Sequence, residues 1–203
     1  MISVYKIKPG FQKLLSPVLM GLNKAGVTAN QLTVSAIFLS AGLGLLLFYH
    51  PGYRYFLLLV ALGLLLRMAL NALDGMMATR FNMQSKLGEI LNELGDILSD
   101  SFIIFSLVIL PSVDPRVIIL FGILAIINEF AGILAKAVSG VRRYDGPMGK
   151  SDRALLLGVF CIGLYFWPGL EVYSNWIFLG ASALVIFSTF TRLRKALDTG
   201  KSL

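Results

Sequence analysis

Apolar and polar positions alternate along this chain in long blocks. Apolar runs with few interruptions occupy 29–50, 55–78, 87–110, 117–138, 154–167 and 173–190, and short polar or turn-forming stretches separate them. Runs of about 20 apolar residues match the length of a helix that crosses a bilayer. The pattern predicts an all-α fold, a polytopic membrane protein with six transmembrane helices. Residues 1–28 read differently: Phe11, Leu14, Leu15, Val18, Leu19 and Leu22 recur at helical spacing among Lys6, Lys8, Lys13 and Lys24, with no acid. Such a basic amphipathic stretch predicts a helix lying in the membrane interface ahead of the spans, and Pro17 predicts a break or kink within it. The plainer alternative is an ordinary lead-in to the first span. Thr28-Ala-Asn-Gln31 has the form of a capping box that starts the first span, and Pro51-Gly52 turns the chain after it. The chain thus divides into an interfacial segment, 1–28, and a six-helix membrane domain, 29–203.

Composition narrows the class. Of 203 residues, 57% are hydrophobic and 14% charged, too apolar a balance for a soluble domain. The single cysteine, Cys161, excludes a disulfide framework and a cysteine metal site. Of the 18 Lys and Arg residues, all but Arg54, Arg67 and Arg116 fall on the side of the two termini, which the positive-inside rule makes cytoplasmic. Tyr49, Tyr53, Tyr55, Trp167, Tyr173 and Trp176 collect at the opposite ends, where an aromatic belt lies. The net charge of +7 then reflects topology and attraction to anionic membrane lipids, not nucleic-acid binding. The expected location is a bacterial inner membrane, crossed several times.

One stretch breaks the apolar pattern. Residues 71–100 hold five of the eleven acids: Asp74, Glu89, Glu93, Asp96 and Asp100. Facing lipid, they would together cost on the order of 10 kcal/mol, so they must face a wet cavity, a cation or a partner. Asn71, Asp74, Gly75 and Ala78 share one helical face, as do Gly88, Asn92, Asp96 and Asp100 on the next helix. Two antiparallel neighbours joined by a short link bring these faces together near one membrane surface. Converging oxygen ligands, with Gly and Ala leaving room beside them, suit a hard divalent cation and a phosphate.

At these residues the sequence resembles the CDP-alcohol phosphotransferases, whose motif D-x2-D-G-x2-A-R-x8-G-x3-D-x3-D appears here as N-x2-D-G-x2-A-T-x8-G-x3-N-x3-D with identical spacing. Asn30-Gln-Leu32-Thr33 also resembles the family's start of the first span, and Gly149-Lys150 a Gly-Lys pair before the fifth. The resemblance implies an integral-membrane enzyme of phospholipid biosynthesis. It would join a CDP-linked lipid, most often CDP-diacylglycerol, to an alcohol acceptor and release CMP, using Mg2+ or Mn2+ at a cytoplasm-facing site. A homodimer is a further expectation. By the same resemblance Asp74 and Asp96 hold metal, Asp96 is the general base, and Gly75, Ala78, Asn71 and Gly88 lie along the nucleotide.

The departures are Asn71, Asn92 and Thr79, which replace two motif aspartates and the motif arginine. Asn71 and Asn92 still offer carbonyl oxygens to a metal but remove two negative charges; Glu93, a helical turn from Asp96, or Glu89, a turn from Glu93, can supply a missing carboxylate, and Glu93 is the expected one. Arg80 stands beside Thr79 as an alternative phosphate contact. Arg142, Arg143 and Lys150, in the basic loop 139–153, are further candidates for a phosphate or an anionic acceptor. Arg67 and Glu129 are charges inside spans, expected at similar depth as a structural ion pair or as support for the site. Two other functions stay open, a catalytically weakened relative that binds nucleotide or lipid and an ion or metabolite transporter. Transport is disfavoured because the acids gather at one face.

Overall fold

The computed structural model describes residues 8–50, 52, 54–111 and 113–199. Expectations for 1–7, including Lys6, and for Pro51 and Tyr53 lie outside them. The described residues form seven α-helices in order: α1 Lys8–Lys24, α2 Ala29–Tyr49, α3 Arg54–Arg80, α4 Lys86–Ser106, α5 Pro115–Ser139, α6 Lys150–Phe166 and α7 Ser174–Thr199. No strand occurs among the described residues. Each apolar run is a helix, and α1 continues through Pro17 without a break.

Local chemistry sets the helix ends. Thr28 caps α2 as the capping box requires, its hydroxyl accepting from the Gln31 N–H while Gln31 Oε1 accepts from the Thr28 N–H at 2.8 Å. The Ser85 hydroxyl accepts from the Gly88 N–H at 3.0 Å and starts α4. Asp114 caps α5 with Pro115 at its first position, and Gly140, at φ 74°, ends it in the left-handed conformation.

Among the described residues four stretches, α2, α3, α5 and Pro168–Asp198, are long and apolar enough to cross a membrane by length and composition. Helix α6 is short, at 17 residues, and α4 carries Lys86, Glu89, Glu93, Asp96 and Asp100. Helices α1, α4 and α6 fall outside this set, and α4 holds four of the five acids of residues 71–100.

Packing runs α2 against α3 and α4, α3 against α6, and α5 against α4 and α7, with α1 on the end of α3. A large apolar core, built around Leu64, Ile103, Phe121, Leu157 and Phe178, joins α3 to α7. Leu19 of α1 is fully buried in a smaller cluster with Leu32, Leu73 and Met77. The direct seating of α3 on α4 that the short link suggested does not form. Helix α2 fills that position, touching both, and the space between α3 and α4 is bridged by polar side chains. Gly44 makes this close approach feasible, since a Cβ there would stand 2.3 Å from the Phe102 carbonyl oxygen.

The ends of the helices differ in chemistry. At one end, ion pairs tie α4 and α5 to the loop after α5, to the start of α6 and to α7. At the other, Arg54 donates to the Tyr165 carbonyl, the Asp114 N–H donates to Asn175 Oδ1, and Tyr55 stacks near Tyr165.

Candidate active site

Asp74 and Asp96 are both buried, on α3 and α4, at the charged end of the bundle. The Thr33 hydroxyl of α2 donates to Asp74 Oδ2 at 2.8 Å. Both Asp96 oxygens receive donors: Lys150 Nζ reaches Oδ2 at 2.6 Å and Asn71 Nδ2 reaches Oδ1 at 3.3 Å. Nothing lies within 4 Å of where a Cβ on Gly75 would stand, so the backbone beside Asp74 faces open space. The helical face of Asn71, Asp74 and Gly75 and the face of Asp96 are thus brought together across the gap that α2 holds open.

Behind Asp96 a network of charges runs through the bundle. Arg67 Nη2 lies 2.6 Å from Asp100 Oδ1, and Arg153 Nη2 lies 2.6 Å from Asp100 Oδ2. Arg153 also donates to Glu129 Oε1 at 2.9 Å, and Arg142 to Glu129 Oε2 at 2.9 Å. Arg142 then grips Glu93 through Nε and Nη2, at 2.8 and 2.9 Å. Arg67 and Glu129 are therefore both ion-paired, but through Asp100 and Arg153 between them. The acids alternate with cations because each charge in so dry a place needs an opposite one.

This network also fixes the loop that carries Lys150. Arg153 Nη1 donates to the Met148 carbonyl at 2.9 Å, and Ser188 Oγ and Arg192 Nε donate to the Asp145 carbonyl at 3.0 and 3.2 Å. Asp152 accepts from the Gly149 N–H at 3.2 Å. Gly132 on α5 lets Arg142 in: a Cβ there would sit 1.4 Å from Arg142 Nη1. Burial alone would lower the Arg142 pKa, but Glu93 and Glu129 outweigh it and hold the guanidinium above its ordinary value. Burial likewise raises the phenol of Tyr144, whose ring lies 4.6 Å from the Arg142 guanidinium.

The remaining candidates are distributed as follows. Glu93 is committed to Arg142 in a fork-to-fork pair, and Glu89 pairs with Lys136 on the surface. Arg142 spends its donors on Glu93, Glu129 and the Arg143 carbonyl. Arg143 approaches Asp145 at 4.0 Å. Asn92 is half-buried one turn before Asp96, Gly88 packs close to Asn30 of α2, and Ala78 lies in the α1 cluster. The Thr79 hydroxyl donates back to the Gly75 carbonyl at 2.8 Å, and Arg80 lines an open groove of about 420 Å³ with Gln12, Lys13, Ser16 and Met76. Sequence reasoning passed over Thr33 and Arg192, and counted Arg153 only among the cations of the loop 139–153. Thr33 stood inside the Asn30-Gln-Leu32-Thr33 match, so a signal existed. Arg153 was not told apart from the other loop cations, because a cation beside a span equally serves topology.

The comparisons decide the family. A family model for CDP-alcohol phosphatidyltransferases matches residues 26–187. The chain belongs to this family. It is 42% identical to the inner membrane protein YnbA of Escherichia coli K12 over 97% of both chains. Its fold is similar to the phosphatidylinositol phosphate synthase PgsA1 of Mycobacterium tuberculosis, solved with CDP-DAG bound, at a TM-score of 0.73 and 18% identity, covering 91% of this chain and 94% of that one. A second structure of that synthase, in complex with manganese and citrate, gives a TM-score of 0.72 at 19% identity, covering 89% and 88%. The chain is accordingly a multi-pass membrane enzyme, a CDP-alcohol phosphotransferase of phospholipid biosynthesis.

Divalent metal is typical of the family, and the donors here can be tested for it. Asp74, Asp96, Asn71 and Asn92 offer hard oxygens, which fit Mg2+ or Mn2+ in kind. Their charge is low. Among the described residues no three His, Cys, Asp or Glu side chains gather to hold a metal ion, and one of the two carboxylates already bears Lys150.

Proposed function

We propose that this enzyme joins CDP-diacylglycerol, or a closely related CDP-linked lipid, to an alcohol acceptor and releases CMP, at a site facing the cytoplasm. The observation that carries this reading is the meeting of Asp74 and Asp96 across the α3–α4 gap beside the open backbone at Gly75. In the reaction, the acceptor oxygen bonds to the lipid-bearing phosphorus, the bond from that phosphorus to the bridging oxygen breaks, and CMP leaves with the bridge. Asp96 takes the hydroxyl proton, as a carboxylate within hydrogen-bond reach can. Gly75 and Ala78 admit the nucleotide close to the backbone, with Asn71 and Gly88 alongside. Asp74 and Asp96, with the Asn71 and Asn92 carbonyl oxygens, are the groups that would hold a Mg2+ or Mn2+ ion, weakly because their charge is low and Asp96 already bears Lys150, and such an ion would add to the neutralisation of pyrophosphate charge. Lys150 and Arg80 are the cations placed to meet an anionic acceptor or a phosphate.

The test is CMP release from CDP-diacylglycerol by the purified protein, with Mg2+ or Mn2+ and a panel of neutral and phosphorylated alcohols. Acceptor-dependent CMP release is expected. Tight CDP-lipid binding with no release under any acceptor would favour the weakened relative, which the two-carboxylate site also suits.

The proposed arrangement has six spans, an interfacial α1 and both termini in the cytoplasm. Buried Cys161 leaves a clean background for labelling. Cysteines at exposed Lys86 and Val141 should react with an impermeant maleimide only from the cytoplasmic side, and one at Val172 only from outside. Reaction of all three from one side would sink this topology.

A further inference from the structure

The Lys150–Asp96 pair sits where the family motif calls for metal ligands, and three observations show that it is built into the fold. Both oxygens of Asp96 face hydrogen-bond donors, Lys150 Nζ at 2.6 Å and Asn71 Nδ2 at 3.3 Å. Asn71 makes its bond with an N–H that an aspartate at this position would lack. The residue that departs from the motif is therefore the one that completes the lysine's arrangement. Second, Lys150 begins α6 on a loop held at Met148 by Arg153 and Asn128 and at Asp145 by Ser188 and Arg192. Its ammonium is not a freely swinging surface charge. Third, Asn71 and Asn92 remove two negative charges from the motif, the charge of one divalent ion.

Resting on the phosphotransfer reading above, we propose that Lys150 is a resident cation of the active site, standing on Asp96 in place of divalent charge and opposing metal binding there. Its ammonium neutralises part of the pyrophosphate charge as CMP departs, a task otherwise left to metal. A cation in this position repels a divalent ion at the neighbouring donors, so the site binds Mn2+ more weakly than its oxygens would allow. Removing the ammonium exchanges one neutralising charge for another, and that exchange can be measured.

The experiment is a Mn2+ titration of the purified full-length protein, read by electron paramagnetic resonance without substrate. Lys150→Gln should lower the Mn2+ Kd by at least about tenfold, because a unit charge a few ångströms away is worth more than the 1.4 kcal/mol this represents. Lys150→Arg, which keeps the charge, should leave the Kd near the wild-type value. Adding Asn71→Asp to Lys150→Gln should tighten binding further. An unchanged Mn2+ Kd in a Lys150→Gln protein that melts at the wild-type temperature would overturn the proposal, as would tightening by Lys150→Arg equal to that by Lys150→Gln. CMP release by the wild type is scored separately. Its absence would count against the phosphotransfer reading, while the Mn2+ titration alone judges the role of Lys150.

Discussion

Asp96→Asn is expected to lower turnover by about 10²- to 10⁴-fold, the usual worth of a positioned general base. The substitution preserves shape and leaves one carbonyl oxygen for Lys150, while Asn71, which now donates to the other Asp96 oxygen, must turn its own carbonyl to accept from the new amide; the side chain no longer takes a proton. Binding of the CDP-linked lipid should survive, since Asp74, anchored by Thr33 on α2, and the open backbone at Gly75 are untouched. The measurement is steady-state CMP release beside equilibrium binding of CDP-diacylglycerol. A loss confined to turnover supports proton transfer to Asp96. Unchanged turnover removes Asp96 from the mechanism, and equal loss of lipid binding recasts it as a binding residue.

The helices were legible because membrane helices announce themselves by continuous apolar sequence, and the Thr28 capping box marked the start of α2 without any tertiary information. Proline was the weaker guide: Pro17 stands inside an unbroken α1. The partners of Arg67 and Glu129 were not legible. Depth along a span can be counted from sequence, which paired them with each other, but which helices are neighbours cannot. In the fold α3 packs on α6, so Arg67 meets Asp100 together with Arg153, and Glu129 lies among Arg153, Arg142 and Arg192. Lys150 shows the same limit. Its place in the basic loop made it a phosphate candidate, yet only the folded loop brings it onto Asp96. The acids of α4 were visible as a cluster, but their division of labour was not. Asp96 faces the site, Asp100 the buried arginines and Glu93 the loop, because residues one turn apart share a face but stand about 5–6 Å apart along the helix axis and so meet different neighbouring elements.

That division makes Arg153 the residue whose loss should cost the most stability. Its side chain is fully buried and serves Asp100, Glu129 and the Met148 carbonyl. Arg153→Met keeps much of the volume but leaves two buried carboxylates short of a cation, and removing one partner of a buried pair costs about 3–5 kcal/mol. Arg67 and Arg142 remain on the same acids and set the lower end of that range. A marked fall in the thermal midpoint in detergent is expected, with loss of turnover because the loop holding Lys150 loses its anchor. The carboxylate left without its cation should account for most of the damage. Adding Glu129→Gln to Arg153→Met should then recover part of the midpoint, a non-additivity that a simple packing defect would not show. A wild-type midpoint in Arg153→Met, or strictly additive losses in the double variant, would mean that the charge network does not hold α4, α5 and α6 together.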